Sequence, residues 1–169
     1  MDRPTPYRED FYAWSREQAD VLRGLAERRD LPNALDLEHV IEEIEGVGDE
    51  RRNAVESFIR LIFVHLMKAA CARSDDPKAH WLSEVVGFHT ELVSRFTNSM
   101  RKDIDLELIW KRAFRQAKAA LEERGEEIAP LLRLACPFEL DELVVEELDI
   151  DGSLARVQRL ASKKEEGRP

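Results

Sequence analysis

The sequence predicts an all-α protein, a single-domain helical bundle of about five main helices plus a short helical C-terminal segment. Three observations carry that expectation. Apolar residues recur at three- and four-residue spacings through most of the chain. No stretch shows the period-two alternation and turn chemistry that a sheet needs. The 169 residues include only 7 Gly and 7 Pro, and Leu, Ala, Glu and Arg, all good helix formers, dominate the rest. A chain of this length can bury a core without disulfide or metal staples.

The first helix is expected from about Arg8 to Glu27, entered after Pro6 with Asp10 in its first turn. Phe11, Trp14, Gln18, Leu22 and Leu25 share one face by spacing. Asp30–Leu31–Pro32–Asn33 reads as a loop, since Pro32 does not continue a helix simply. Asp36 suits the cap of a second helix whose Leu37, Val40, Ile41, Ile44 and Val47 form an apolar stripe centred on Ile44. Gly46 and Gly48 are expected to close it, and Asp49 to cap a third helix over about Glu50 to Ala72. That third helix is apolar on almost every side through Val55, Phe58, Ile59, Ile62, Phe63, Leu66 and Met67, so it should be the most buried element.

Arg73 to Pro77 is the next break, with Pro77 suited to an early helical position. A fourth helix has Leu82, Val85, Val86, His89, Leu92, Val93, Phe96 and Met100 as its inner face. A fifth follows the Asp103–Ile104–Asp105 turn, uses Leu106, Trp110, Ala113, Phe114, Ala117 and Leu121, and ends at Gly125. A short helix is expected near Ile128 to Arg133, an extended Cys136–Pro137–Phe138, and a turn or two of helix over Glu139 to Glu147. Residues 7–150 form the expected domain, 1–6 an N-terminal arm and 151–169 a weakly ordered tail, although Leu154, Val157 and Leu160 keep a helical spacing.

Composition narrows the function classes. With 43% hydrophobic and 36% charged residues, the chain falls in the soluble globular class. The net charge of −9 argues against nucleic acid, whose binding rests on phosphate neutralisation by Lys and Arg. The longest apolar stretch, Phe58 to Ala72, is broken by Arg60, His65 and Lys68, and the N-terminus lacks a signal-peptide core, so no membrane partner is expected. Cys71 and Cys136 have neither CxxC nor zinc-like spacing and read as reduced thiols of a cytoplasmic protein. Nucleophile-elbow and nucleotide-loop motifs are absent, so no cofactor is expected.

Several ordered motifs also carry a resemblance. Tyr7–Arg8–Glu9–Asp10–Phe11–Tyr12–Ala13–Trp14 with Gln18 and Leu22–Arg23 comes first. Glu42–Glu43–Ile44–Glu45, Gly48, Glu50–Arg51–Arg52 and His65–Leu66–Met67–Lys68 follow, and Cys136–Pro137–Phe138 before Leu140 and Leu143 closes the series. Together they resemble the bacterial "domain of unknown function 29" family over roughly Tyr7 to Leu148. Ala69 departs from the Trp that often follows the His–Leu–Leu–Lys element there. The resemblance implies a helical bacterial domain and no activity.

Six polar residues make up a candidate site. Gln18, His65 and His89 fall within apolar stripes, where an unpaired polar group costs about 1–3 kcal/mol. Glu43 and Glu45 flank the inner face of the second helix, and Lys68 ends the third. As a polar pocket between helices, these residues would serve a small enzyme or a ligand- or metal-binding domain. The plainer reading has each hydrogen-bonded in the core, with Glu43 and Glu45 bridging to Arg51, Arg52, Arg60 or Lys68. No His follows a Glu at the three-residue spacing of di-metal bundles, so no metal is expected.

The lead expectation for function is a non-catalytic interaction protein, self-associating in one form. Its candidate surface is the apolar Leu106, Leu108 and Ile109. The basic outer face of the fifth helix, Lys111, Arg112, Arg115 and Lys118, reads as a solvated face, with an acidic partner or a second copy as the minority reading. Because Lys68 lies deeper in the apolar helix, beside a Glu of the acidic helix, Lys68→Ala is expected to cost roughly 3–5 kcal/mol, and Arg52→Ala about 0–1 kcal/mol.

Overall fold

The computed structural model describes residues 7–28, 31–32 and 34–162. The expected N-terminal arm, Asp30 and Asn33 of the first loop, and Lys163–Pro169 lie outside the described residues. Every regular element among the described residues is helical: α1 Phe11–Ala26, α2 Leu37–Cys71, α3 Asp76–Arg95, α4 Leu106–Glu122, α5 Leu140–Leu143 and α6 Ile150–Ser162, with 3₁₀ turns at Asn98–Asp103 and Pro130–Arg133. The all-α class therefore holds. The chain packs as two compact units, one of Met1–Ala54 with Arg95–Ile104, the other of Val55–Ser94 with Asp105–Pro169.

The largest departure from expectation is α2. The expected second and third helices are one uninterrupted helix of 35 residues that runs through Gly46 and Gly48. Glycine inside a helix costs only about 1 kcal/mol relative to Ala, too little to force a break where packing opposes one. At Gly48 the packing is specific. The residue is buried, and a Cβ there would run into Oγ and Cβ of Ser15 on α1. Its missing side chain sets a close helix approach rather than a turn. Asp49, expected as a cap, lies in mid-helix and pairs with Arg16 and Arg52.

In the first unit, Asp10 caps α1 by accepting from Ala13 N at 2.9 Å. The same carboxylate accepts from Thr97 Oγ1 at 3.1 Å and Ser99 Oγ at 2.7 Å, and Tyr12 OH donates to Asp103 at 2.8 Å. The 3₁₀ turn is thereby fastened to the start of α1. Ala19, Leu37 and Ile41 form the small core, with Leu22, Leu25 and Leu31 around it. The buried side of α1 is Phe11, Tyr12, Ser15 and Ala19, rotated from the expected stripe, so Trp14 and Gln18 are only half-buried. On α2 the buried line is Leu37, Ile41 and Gly48, which leaves Ile44 half-buried and Val40 and Val47 exposed.

The second unit holds the larger core. Val55, Ile59, Ile62, Phe63, Leu66 and Met67 are fully buried, as the apolar pattern requires. The Phe63 ring meets Trp110 edge-on at 5.0 Å and stacks on Phe138 at 5.4 Å. Asp105 caps α4 through Leu108 N at 3.0 Å, and Gly125, at φ +70, supplies the left-handed turn beyond its end. Residues 151–162 of the expected tail belong to α6, which starts at Ile150, buries Ser153 and Val157 and packs on the Pro130–Arg133 turn. Arg156 secures α6 by pairing with Glu142 at 2.8 Å and donating to Pro137 O at 3.0 Å.

Candidate functional site

The six candidate residues fall three to each unit. In the first, Glu45 is half-buried and held by Arg16 and Arg23 of α1, not by Arg51, Arg52, Arg60 or Lys68. The paired guanidiniums, Arg23 foremost, hold its carboxyl below the usual range. Glu43 is exposed and Gln18 half-buried. A groove of about 540 Å³ beside this pair is lined by Arg23, Ala26, Glu38, Ile41, Glu42 and Glu45. Arg23 pairs with Glu45 across its edge, while Glu38 and Glu42 leave the lining acidic.

In the second unit, His65 is buried on α2 with Nδ1 2.9 Å from Leu61 O one turn back. A carbonyl only accepts, so we assign the Nδ1 proton to this bond. Nε2 then faces Glu84 of α3 at 2.9 Å, and His80 Nε2 lies 3.5 Å from the same oxygen. The close contact is a hydrogen bond only with a proton between ring and carboxyl. Burial outweighs that pull and holds His65 below the ordinary 6.5; the Leu61 carbonyl and Glu84 oppose it, and Lys68 reinforces it. The unfolded chain thus binds this proton more readily than the folded one. The His65 contribution to stability is complete above about pH 6.5 and fades as pH falls below it. Removing the carboxylate in Glu84→Gln should move the His65 titration, read by NMR of its ring protons, to still lower pH; an upward shift would contradict this geometry.

Lys68 and Arg124 both face Trp81 of α3, Nζ at 4.4 Å and Cζ at 5.5 Å from the ring centroid. Burial holds the Lys68 ammonium below the usual lysine range. No Glu of the acidic N-terminal part of α2 accompanies it, which corrects the basis of the expected large loss. Lys68→Ala should therefore cost about 0.5–2 kcal/mol, the range of a cation–π contact, as a denaturant titration would show. His89 is buried, and its Nε2 has no hydrogen-bond partner among the described residues.

Glu84, His80, Trp81 and Arg124 were not singled out in the sequence. The signal was faint but present: Trp81, Val85 and His89 make an i, i+4 line, with Glu84 beside it and His80 one turn earlier. Among the described residues no group of three or more His, Cys, Asp or Glu is arranged to hold a metal ion. Cys71 and Cys136 are free and half-buried. Burial raises the Cys71 thiol and pushes Cys136 up to about 12, which suits packing rather than nucleophilic chemistry. No described helix is long and apolar enough to cross a membrane.

A second groove, of about 660 Å³, lies between α3 and the start of α6. Leu82, Val86, Leu148 and Ile150 give it apolar walls, and Glu147, Asp149 and Asp151 an acidic rim. Val86, expected on the inner face of α3, is 52% exposed here. Its position is explained by Trp81, which is buried against Ala69 and Ala72 and turns α3 accordingly. Asp149 serves α6 as well, accepting from Gly152 N at 2.9 Å.

The comparisons with known proteins agree with this architecture. The family model described as "Domain of unknown function DUF29" matches residues 6–148. A crystal structure of an alpha-helical protein of unknown function from Rhodospirillum rubrum ATCC 11170 is similar at 39% identity and a TM-score of 0.82, covering 91% of this chain and 98% of that one. No curated protein matches the chain.

Proposed function

The chain belongs to the Domain of unknown function DUF29 family, whose description assigns no activity, and from the second unit's geometry we propose that it is a non-catalytic interaction protein. The observation that carries this reading is the groove of Leu82, Val86, Leu148 and Ile150 with Glu147, Asp149 and Asp151 on its rim. Apolar walls reward a helix that lays down an apolar edge, and the acids favour cations beside that edge. The occupant with this chemistry is a basic amphipathic helix.

A Leu/Lys amphipathic helical peptide is the appropriate probe, followed by fluorescence anisotropy against the intact chain. Binding should weaken at least about tenfold, or ~1.4 kcal/mol, in Val86→Asp. It should also weaken as salt rises toward about 1 M, where the screening length falls to ~3 Å. Val86 is already solvent-exposed, so the substitution should leave the fold intact. No binding, or binding indifferent to Val86→Asp, would overturn the reading.

The alternative, a small enzyme or ligand-binding domain, draws its support from the close approach of His65 Nε2 to Glu84, at 2.9 Å. None of the six residues first considered lines the acidic groove. The interaction reading is the better supported of the two.

A further inference from the structure

The outer side of α4 has the chemistry that the acidic groove asks for. Ile109, Trp110, Ala113, Ala117 and Leu121 are buried. At 100° per residue, Leu108, Lys111, Arg112, Arg115 and Lys118 fall on the opposite side. All four cations are exposed, and Leu108 is 42% exposed. Lys118 has an i, i+4 partner in Glu122 at 3.6 Å, so the face keeps a net positive charge in a chain of net charge −9. Ile109 is buried and Leu106 half-buried, which reduces the expected apolar arc on α4 to Leu108. That single apolar edge, followed along the helix by cations, is the pattern a narrow apolar groove with an acidic rim would accept.

We propose that the occupant of the Leu82–Val86–Leu148–Ile150 groove is α4 of a second copy of this chain, Leu108 entering between the apolar walls while Lys111 and Arg115 meet Glu147 and Asp151. This inference rests on the groove reading above and names its partner. Groove and helix are different surfaces, so a two-fold pair makes the contact twice, and a single contact would instead propagate into a ring or chain. The charges make association strongest at low ionic strength, where the screening length is long. Because the acid and base are at an accessible rim, their main effects are on encounter and register, while the apolar edge supplies the holding energy.

Sedimentation velocity of the full chain tests the proposal directly. The expected result is association that rises with protein concentration and retreats in about 1 M salt, where screening is short-ranged. Lys111→Glu with Arg115→Glu should dissociate the assembly, and so should Glu147→Lys with Asp151→Lys. Mixing the two double variants restores opposite charges at both contacts and should restore association. All these positions are exposed, and circular dichroism of each variant verifies its helix content. A wild-type chain that stays monomeric at low salt, or a mixture that stays dissociated, would overturn the second-copy inference. If the Leu/Lys peptide still binds such a monomer and Val86→Asp abolishes that binding, the groove reading stands and only its partner is wrong. If neither associates, both fall.

Discussion

Trp110→Ala is expected to lose about 3–5 kcal/mol of folding stability, the range for deleting a fully buried aromatic side chain. The indole is completely inaccessible to solvent on α4. It meets Phe63 of α2 edge-on at 5.0 Å and Phe138 at 6.1 Å, so its removal empties the centre of the second unit's aromatic cluster. Nε1 also donates to Leu132 O at 2.6 Å, holding the Pro130–Arg133 turn on which α6 packs. Trp110→Phe separates the two effects. It keeps much of the ring but strands a buried carbonyl, which costs about 1–3 kcal/mol. Urea unfolding followed by far-UV circular dichroism measures both, since the signal does not depend on the lost indole. An unchanged slope with a shifted midpoint would identify a change in stability alone. A loss under about 1 kcal/mol for the alanine variant would mean that the unit collapses to fill the space.

Much of the fold was legible because one signal, apolar spacing, decides which faces can be buried. The run from Val55 to Met67 has apolar residues on too many sides for one neighbour, and six of its seven marked positions are fully buried. Asp10, Asp36, Asp105 and Gly125 sit at helix boundaries for local reasons that a sequence states openly. Two elements were misread where tertiary packing overrode a local signal. Gly46 and Gly48 look like a turn until α1 supplies a reason for a bare backbone at position 48. Leu154, Val157 and Leu160 look too sparse for an ordered helix until α6 packs on the Pro130–Arg133 turn, Val157 is buried and Arg156 reaches Glu142.

The candidate site was legible only in part, and for a physical reason. A polar residue on an apolar stripe declares that it needs a partner without naming it. His65 satisfied that need with Leu61 on its own helix and Glu84 on the next. Glu84 could not be ranked above other glutamates, because partner choice depends on which helices become neighbours. Glu45 illustrates the same point: four basic residues of α2 were proposed for it, and Arg16 and Arg23 of α1 hold it instead. The acidic groove was invisible for a related reason. Val86 belongs to the same apolar pattern as Val85, and only the buried Trp81 decides which of the two faces inward.

The two glycines of α2 should respond oppositely to the same substitution. Gly46→Ala is expected to stabilise the protein by up to about 1 kcal/mol, the helix-propensity difference between the two residues. Position 46 is exposed and a Cβ there meets no atom within 4 Å, so nothing opposes the gain. Gly48→Ala carries the same intrinsic gain, yet its methyl group would overlap Ser15 Oγ and press on Ser15 Cβ. Ser15 has little freedom to retreat, being fully buried with Oγ donating to Tyr12 O at 2.9 Å. Parting α1 from α2 would also strain the Arg16 pairs with Glu45 and Asp49. Overpacking of this kind costs about 1–3 kcal/mol, which exceeds the propensity gain, so the net change should be a loss. Combining Gly48→Ala with Ser15→Gly removes the obstructing side chain and should recover much of that loss. Thermal or urea unfolding of the three variants checks the series. Stabilisation by Gly48→Ala alone would show that the close approach of α1 is not what selects glycine at this position.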